Sequence, residues 1–370
     1  MKKRLLCLLL TFIFCITAMP AQAAGIAMQR LPVDAMDMRL GQCMIPKGYS
    51  LSATVTNCSD GQSILSPLKL NVVATSPDQR SFFSYESTST FVEIVSSTLG
   101  GRTARTHQDG AFDEVTMTWE LRYMTPAAFC QSYAQTILPG IPLTYLGDRD
   151  LSGYTPLLQQ LAQQKYKELT SVRVQGASVD GFALTIGESL FSYTRNGTEY
   201  AVVISTLLRA TQMTFSSPMI YGGTKIDTCI VWDALYTYAM ICPAAQAETL
   251  YPAYQLFMQN TTTSDQFNST NQKLADSLRT IVVAGRGGIS GGAAYSAQTL
   301  RRETGGEDTY DDERFTDYLF DQNDYTLSDG SHVKISTEYS YVYEGDNGTV
   351  YYSDSAFGHP GGSTQLYPNR

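Results

Sequence analysis

Ser290 is framed as G-x-S-x-G by Gly288 and Gly292, inside the stretch GRGGISGG at 285–292. That frame is the signature of a hydrolase nucleophile held on a sharp strand-to-helix turn, where strain presents the hydroxyl to a carbonyl. The chain order of an acid and an imidazole also fits, with Asp324 or Asp329 and then His332 or His359 downstream. Two features oppose the chemistry. Leu274, Leu278, Ile281 and Val282 recur at helical spacing just upstream, so a helix rather than a strand feeds the motif. Five glycines surround the serine and leave its side chain without the rigid mounting that catalysis needs. The stretch reads as a flexible joint between helices.

Other reactive groups are sparse. His107 and Asp109, in THQDG, form the remaining acid/base pair, and two such residues in a polar loop read as exposed. The three histidines are scattered and no C-x-x-C occurs, so no zinc site is expected. Asp308, Asp311 and Asp312 lie in an acidic run that lacks the calcium-loop spacing. No cofactor and no metal are expected. Cys43, Cys58, Cys130, Cys229 and Cys242 lie beyond the leader, an odd number. Cys43 with Cys58, and Cys229 with Cys242, are the pairs nearest in sequence for a disulfide, although spacing does not fix connectivity.

The richest surface chemistry is aromatic. Tyr339, Tyr341 and Tyr343 alternate along one strand and Tyr351 and Tyr352 return on the next, with Asn347-Gly348 at the turn. Tyr339, Tyr341, Tyr343 and Tyr351 are the ligand-binding candidates, able to stack on sugar rings or a peptide; the bland alternative is packing among themselves.

The elements that position these groups begin with an export signal. MKKR is a basic start, LLCLLLTFIFCITA an apolar run too short for a usual membrane span, and AQA a small-residue cleavage site, which puts the mature start at Ala24. The chain is expected to be exported: secreted, periplasmic or held at the cell surface, with no stable membrane insertion after cleavage. Loss of Lys2, Lys3 and Arg4 takes the net charge from −9 to −12. Residues 303–354 carry 14 acids against Arg314 and Lys334, while the body is nearly neutral, so nucleic acid is not an expected partner.

Residues 24–37 read as a mobile mature N-terminus. Strands are expected at 68–75, 81–85 and 91–95 with turns between, and at 113–123, where Trp119 lies on the buried face. A polar loop is expected at 96–110. Helices are expected from TPAAFCQSYAQTIL, with Thr125 as cap and Pro126 in the first turn, and from TPLLQQLAQQKYKEL, capped by Thr155. LFSYTRNGTEYAVVI (190–204) reads as a hairpin about Asn196-Gly197, and DTCIVWDALYTYAMIC (227–242) as a further strand with Trp232 in the core. Pro252 should kink or split the helix after Pro243. The fold class is therefore α+β: a mainly antiparallel sheet flanked by helices over 38–265, a helical and acidic linker over 266–314, and a Tyr-rich β-hairpin tail over 315–370, behind a signal peptide at 1–23.

Two segments carry a resemblance: CIVWDALYTYAMICPAAQAETLYPAYQLFMQNTTTSDQF and YTLSDGSHVKISTEYSYVYEGDNGTVYYSDSAFGHPGG. They resemble a loose group of exported bacterial proteins of unknown function. IPKGYS, followed by strands and a helix, is similar to the Mog1/PsbP-like α+β fold. The resemblance implies a sheet flanked by helices, used for binding or interaction, and transfers no catalytic residue. The expected function is a non-enzymatic exported binding module for a protein or carbohydrate. The alternatives are a secreted hydrolase with a carboxylate acid/base pair and a structural component of an envelope assembly.

Overall fold

A computed structural model describes residues 26–35, 38–58, 66–113, 116, 118–171, 176–219, 223–285, 322–336, 339–345, 348–353 and 362–369. Ser290, the acidic run at 308–312, His359 and the signal segment lie outside these residues.

The chain opens with strands β1 (Met28–Ala35), β2 (Met38–Pro46), β3 (Ser50–Asn57), β4 (Leu68–Thr75) and β5 (Phe82–Leu99). Short strands β6 (Arg102–Thr103) and β8 (Thr118–Glu120) attach to β5, and β7 (Phe112–Asp113) pairs with β8. Helix α1 (Pro126–Ile137), β9 (Thr144–Asp148) and α2 (Thr155–Ser171) follow. Three long strands come next: β10 (Ala177–Arg195), β11 (Thr198–Pro218) and β12 (Thr224–Pro243). Then come α3 (Ala247–Asn260), β13 (Thr262–Thr263) and α4 (Asp265–Gly285). The tail holds β14 (Gln322–Thr326), β15 (His332–Ser336), β16 (Tyr341–Glu344), β17 (Val350–Ser353) and β18 (Thr364–Leu366).

Antiparallel pairing dominates. A ten-stranded sheet runs β3-β4-β5-β12-β11-β10-β9, with β6 and β8 beside β5 and β7 beside β8; among the described pairings only β8 on β5 is parallel. A six-stranded sheet runs β13-β2-β1-β17-β16-β18, and β14 pairs β15 separately. The expected α+β class with a mainly antiparallel sheet holds.

One buried cluster draws on both sheets. It joins Met28, Met44 and Val350 of the smaller sheet to Val72, Phe83 and Met240 of the larger, with Tyr254 and Phe257 of α3 between and Val333 and Ile335 of the β14–β15 hairpin alongside. On the opposite face of the large sheet, Phe129, Cys130 and Tyr133 of α1 pack on Val202, Ile204 and Trp232. Helix α2 lies on the same face as α3, further along the strands, where Leu158 meets Leu207 and Leu235 and Leu169 meets Met213 and Phe215.

Local chemistry explains the elements that were foreseen. Thr125 accepts the Ala128 N–H and caps α1, with Pro126 in the first turn. Asn196 (φ 51°) and Gly197 (φ 73°) make the left-handed pair that turns β10 into β11.

Several expectations need correction. Within the stretch 24–37 read as mobile, Met28–Ala35 forms β1, which pairs with β2 and with β17 of the tail. The turn expected between 85 and 91 does not exist, because β5 runs unbroken from Phe82 to Leu99. Its hydroxyls find partners instead, with Thr90 donating to Asp233 (2.6 Å) and Thr88 to the Leu235 carbonyl (2.9 Å). The 96–110 loop is shortened by the end of β5 and by β6. Among the described residues of the expected 113–123 strand, Asp113 ends β7, Thr118–Glu120 forms β8 and 121–123 are not in a strand; Trp119 is half-buried whereas Trp232 is wholly buried. Thr155 already has helical angles and belongs to α2. Pro252 does not split α3, which runs from Ala247 to Asn260. No cysteine of the five is disulfide-bonded. Cys229 and Cys242 sit thirteen residues apart on the single strand β12, about 40 Å at roughly 3.3 Å per residue. Helix α4 runs from Asp265 to Gly285, so the segment holding Leu274, Leu278, Ile281 and Val282 is helical as expected; Ser290 lies outside the described residues. In the tail, His332–Ser336 pairs with β14, and β16 is a separate strand starting at Tyr341.

Candidate functional site

A groove of about 990 Å³ runs along the edge of β10. Its floor is the consecutive stretch Asp180–Glu188, all on one strand. One wall is α2, through residues such as Leu158, Ala162 and Tyr166; the other includes Thr125, Pro126 and Ala127 at the start of α1. Helices α1 and α2 pack on opposite faces of the sheet, so the groove wraps the bare edge between them.

The edge is bare because β9 is short. It pairs only with Ser189–Ser192 of β10, and the chain then turns away at Asp148. The Arg149 N–H donates to the Glu188 carbonyl (2.9 Å), which makes the even-numbered residues of β10 those whose backbone faces outward. Ile186, Leu184 and Phe182 therefore aim their N–H and C=O groups into the groove, and no described residue hydrogen-bonds to them. Residues 181–187 are all half-buried, shielded on both faces by helices yet open along the edge. The fit of α1 is close. A Cβ on Gly187 would lie 2.4 Å from the Pro126 ring, so only glycine lets α1 approach there.

A polar network closes one end. Glu188, 5% exposed, accepts from Ser205 Oγ (2.7 Å) and Tyr251 OH (2.7 Å) and lies 3.5 Å from the Arg149 guanidinium. Arg149 also hydrogen-bonds Tyr251 and sits over its ring, 5.2 Å from the centroid. Ser205 is 3.0 Å from Tyr254 OH. Burial, followed by the Glu188 charge, raises Tyr251 and Tyr254 well above the usual phenol range, so both stay protonated. Ser205 gives its hydrogen to a carboxylate and faces no imidazole among these groups, so the network is a rigid end wall and not a nucleophile with its base.

The residues singled out from sequence fall elsewhere. His107 is not exposed: its side chain is 9% accessible. Its Nδ1 accepts the Ile94 N–H (3.2 Å), which leaves Nε2 to donate to Asp109 (2.7 Å). That bond, then the Arg122 N–H, holds the Asp109 carboxyl below its ordinary value. Arg105 bridges Asp113 (2.9 Å) and Glu120 (2.5 Å), and Glu120 accepts the Gln108 N–H (2.7 Å). These contacts latch the loop onto β5 and β8. The aromatic candidates are brought together in part. Tyr343 pairs with Tyr351 across β16 and β17, and its ring stacks on Tyr341 at 13°. Tyr343 is 4% exposed, while Tyr341 and Tyr351 are half-buried. Tyr339 turns to the other side and meets Tyr352 edge-on at 4.5 Å. Among the described residues no His, Cys, Asp and Glu cluster suits a metal ion, and no helix is long and apolar enough to cross a membrane.

Sequence reading missed the groove altogether. A β10 edge is a matter of which strands are absent, and no residue type signals that. The one visible hint is glycine within a strand: Gly187 marks the close approach of Pro126 and Gly181 marks the bulge after Val179.

No family model matches the chain, and no curated protein matches it. Among solved structures it is similar to LpqN, described as involved in cell envelope biogenesis of Mycobacterium tuberculosis, at 13% identity over 64% of this chain and 91% of that one, with a TM-score of 0.18. Neither the expected kinship with exported bacterial proteins nor the Mog1/PsbP-like domain finds a family or curated match. A likeness of that size carries no argument about fold or function.

Proposed function

We propose that the protein is an exported, non-enzymatic binding module that takes up an extended polypeptide as an added strand on β10. The observation that carries this reading is the row of unpaired backbone groups at Phe182, Leu184 and Ile186, set between two helices. A sheet edge left without a neighbour presents a row of N–H and C=O groups that templates a further strand, and a strand laid in the groove pairs them. The run from Gly181 to Gly187 spans about 20 Å at roughly 3.3 Å per residue, room for a seven-residue segment. The signal-like start and the acidic stretch at 303–354 belong to this reading as features of an exported chain.

The test is hydrogen exchange on residues 24–370 with extended nine-residue peptides of alternating Val and Ser. The expected result is slowed exchange at the Phe182, Leu184 and Ile186 amides, lost when alternate peptide amides are N-methylated. Unchanged exchange at all three amides would falsify the reading.

The tyrosine face is a second contact surface in this proposal. Tyr341 and Tyr351 are the accessible rings, suited to stacking on a sugar, while Tyr343 supports them from below. The hydrolase alternative needs two carboxylates free to act across a cleft. Asp148 and Glu188 both line the groove, yet Ser189 holds the first (2.6 Å) and Ser205 and Tyr251 hold the second, so this alternative ranks lower. A role in an envelope assembly is compatible with strand addition, which joins subunits as readily as it captures peptides.

A further inference from the structure

The charges around the groove narrow the class of strand it accepts, an inference that rests on the groove being the ligand site. The charged lining residues are Asp148, Arg149, Asp180 and Glu188. Arg149 and Glu188 face each other at 3.5 Å and share Tyr251, so they offset one another inside the end wall. Two carboxylates remain. Asp148, at the Glu188 end, accepts from Ser189 (2.6 Å) and from the Tyr145 hydroxyl, a bond that raises Tyr145 to about 12. Asp180, at the far end, accepts from Ser178 (2.9 Å) and Thr214 (2.6 Å). Hydroxyl donors orient a carboxylate and leave its charge in place, and no described cation lies within salt-bridge distance of either group.

We infer that the occupant is a cationic extended segment running antiparallel to β10, with its amino-terminal end at Asp148 and a second positive charge at Asp180. Direction follows from β9, which is antiparallel to β10 and ends at Asp148; the occupant prolongs its line. A carboxylate at that end attracts an α-ammonium or a lysine and repels a C-terminal carboxylate. Spacing follows from β10. Asp148 pairs with Ser189, so the two carboxylates lie nine residues of strand apart, about 30 Å. Side-chain preference follows from the walls. Occupant residues opposite Phe182, Leu184 and Ile186 point toward Leu158 and Ala162 of α2 and are apolar, while those opposite Ala183, Thr185 and Gly187 point toward Pro126 and must be small.

The probe is Lys-Ser-Val-Ser-Val-Ser-Val-Ser-Lys carrying a C-terminal fluorophore, titrated by anisotropy against residues 24–370. The comparator has Glu at both ends. The lysine peptide is expected to bind at least tenfold more tightly in low salt, with the gap closing toward 1 M salt. Asp148→Asn and Asp180→Asn should each reduce that preference several-fold; Asp180 is exposed, so its variant keeps the fold. Equal binding of the two peptides overturns the charge inference and leaves strand addition standing. Binding of neither peptide overturns both.

Discussion

At the residue scale, burial decides which side chains are chemically available. Cys43, Cys130 and Cys242 are buried, and burial pushes each thiol up to about 12; Cys58 and Cys229 are raised for the same reason. Two consequences are measurable. In the protein lacking residues 1–23, a thiol reagent at pH 8 should react slowly with the native state and with five equivalents after unfolding; fewer than five would reveal a disulfide. The second is alkaline instability. A thiol that stays neutral in the native state contributes stability that is complete below its unfolded value, near 9, and is lost as pH rises toward the folded value. Each of the three thiols near 12 should therefore cost about 1.4 kcal/mol per pH unit above pH 9. A Tm that stays flat from pH 9 to 10.5 would contradict this. Sequence could not supply such statements. It identified the cysteines and His107 but not their surroundings, because the Ile94 N–H that holds His107 belongs to a strand thirteen residues away.

At the element scale, what was legible was local. The Thr125–Pro126 start of α1 and the Asn196–Gly197 turn depend on neighbouring residues alone, and both appear where their residue types dictate. What was not legible depended on partners. Serines and threonines at 87–90 look like a turn, yet they sit inside β5 because Asp233 and the Leu235 carbonyl meet their hydroxyls. Two glycines test these arguments from opposite sides. Gly197 has φ +73° with open space around it, so Gly197→Ala should cost about 1–2 kcal/mol through backbone strain alone. Asn196→Gly beside it should leave Tm nearly unchanged. Gly187 has no such angle but abuts Pro126, so Gly187→Ala should cost about 1–3 kcal/mol by forcing α1 off the sheet. It should also widen the groove, which hydrogen exchange in α1 would report. A Gly187→Ala protein of unchanged Tm would show that α1 moves without resistance.

At the scale of the whole molecule, the chain closes on itself. β1 lies between β2 and β17 in the smaller sheet, and Met28 is partnered with Val350, more than 300 residues away. No sequence window spans that distance, and MQRLPVDA carries Pro32 and Arg30 where a strand pattern would want alternation, so the segment read as loose. Its position makes it the joint between the tail and the rest of the smaller sheet. Without β1 the edge of β17 is unpaired and β16–β18 keep their contacts with the shared core, chiefly Val342, Val350 and Tyr352, and the hydrogen bonds that Glu344 and Asn369 make to the β14–β15 hairpin and its turn. Three strands of three or four residues, β17-β16-β18, with both edges then open, present little ladder to hold them in water. A protein beginning at Met38 should therefore lose the tail first: chymotrypsin should cut at Tyr341, Tyr343, Tyr351 and Tyr352 at enzyme levels that leave residues 24–370 intact. The ladder of β10, β11 and β12 touches neither β1 nor the tail strands in its pairing, so its amides should keep their slow exchange. Equal resistance of the two proteins would mean that the shared core alone holds the tail. Loss of exchange protection throughout would mean that the two sheets fold as one unit around α3. Retained protection in β10 also keeps the groove, so peptide binding by the shortened protein separates the β10 edge from the tyrosine face as the seat of recognition.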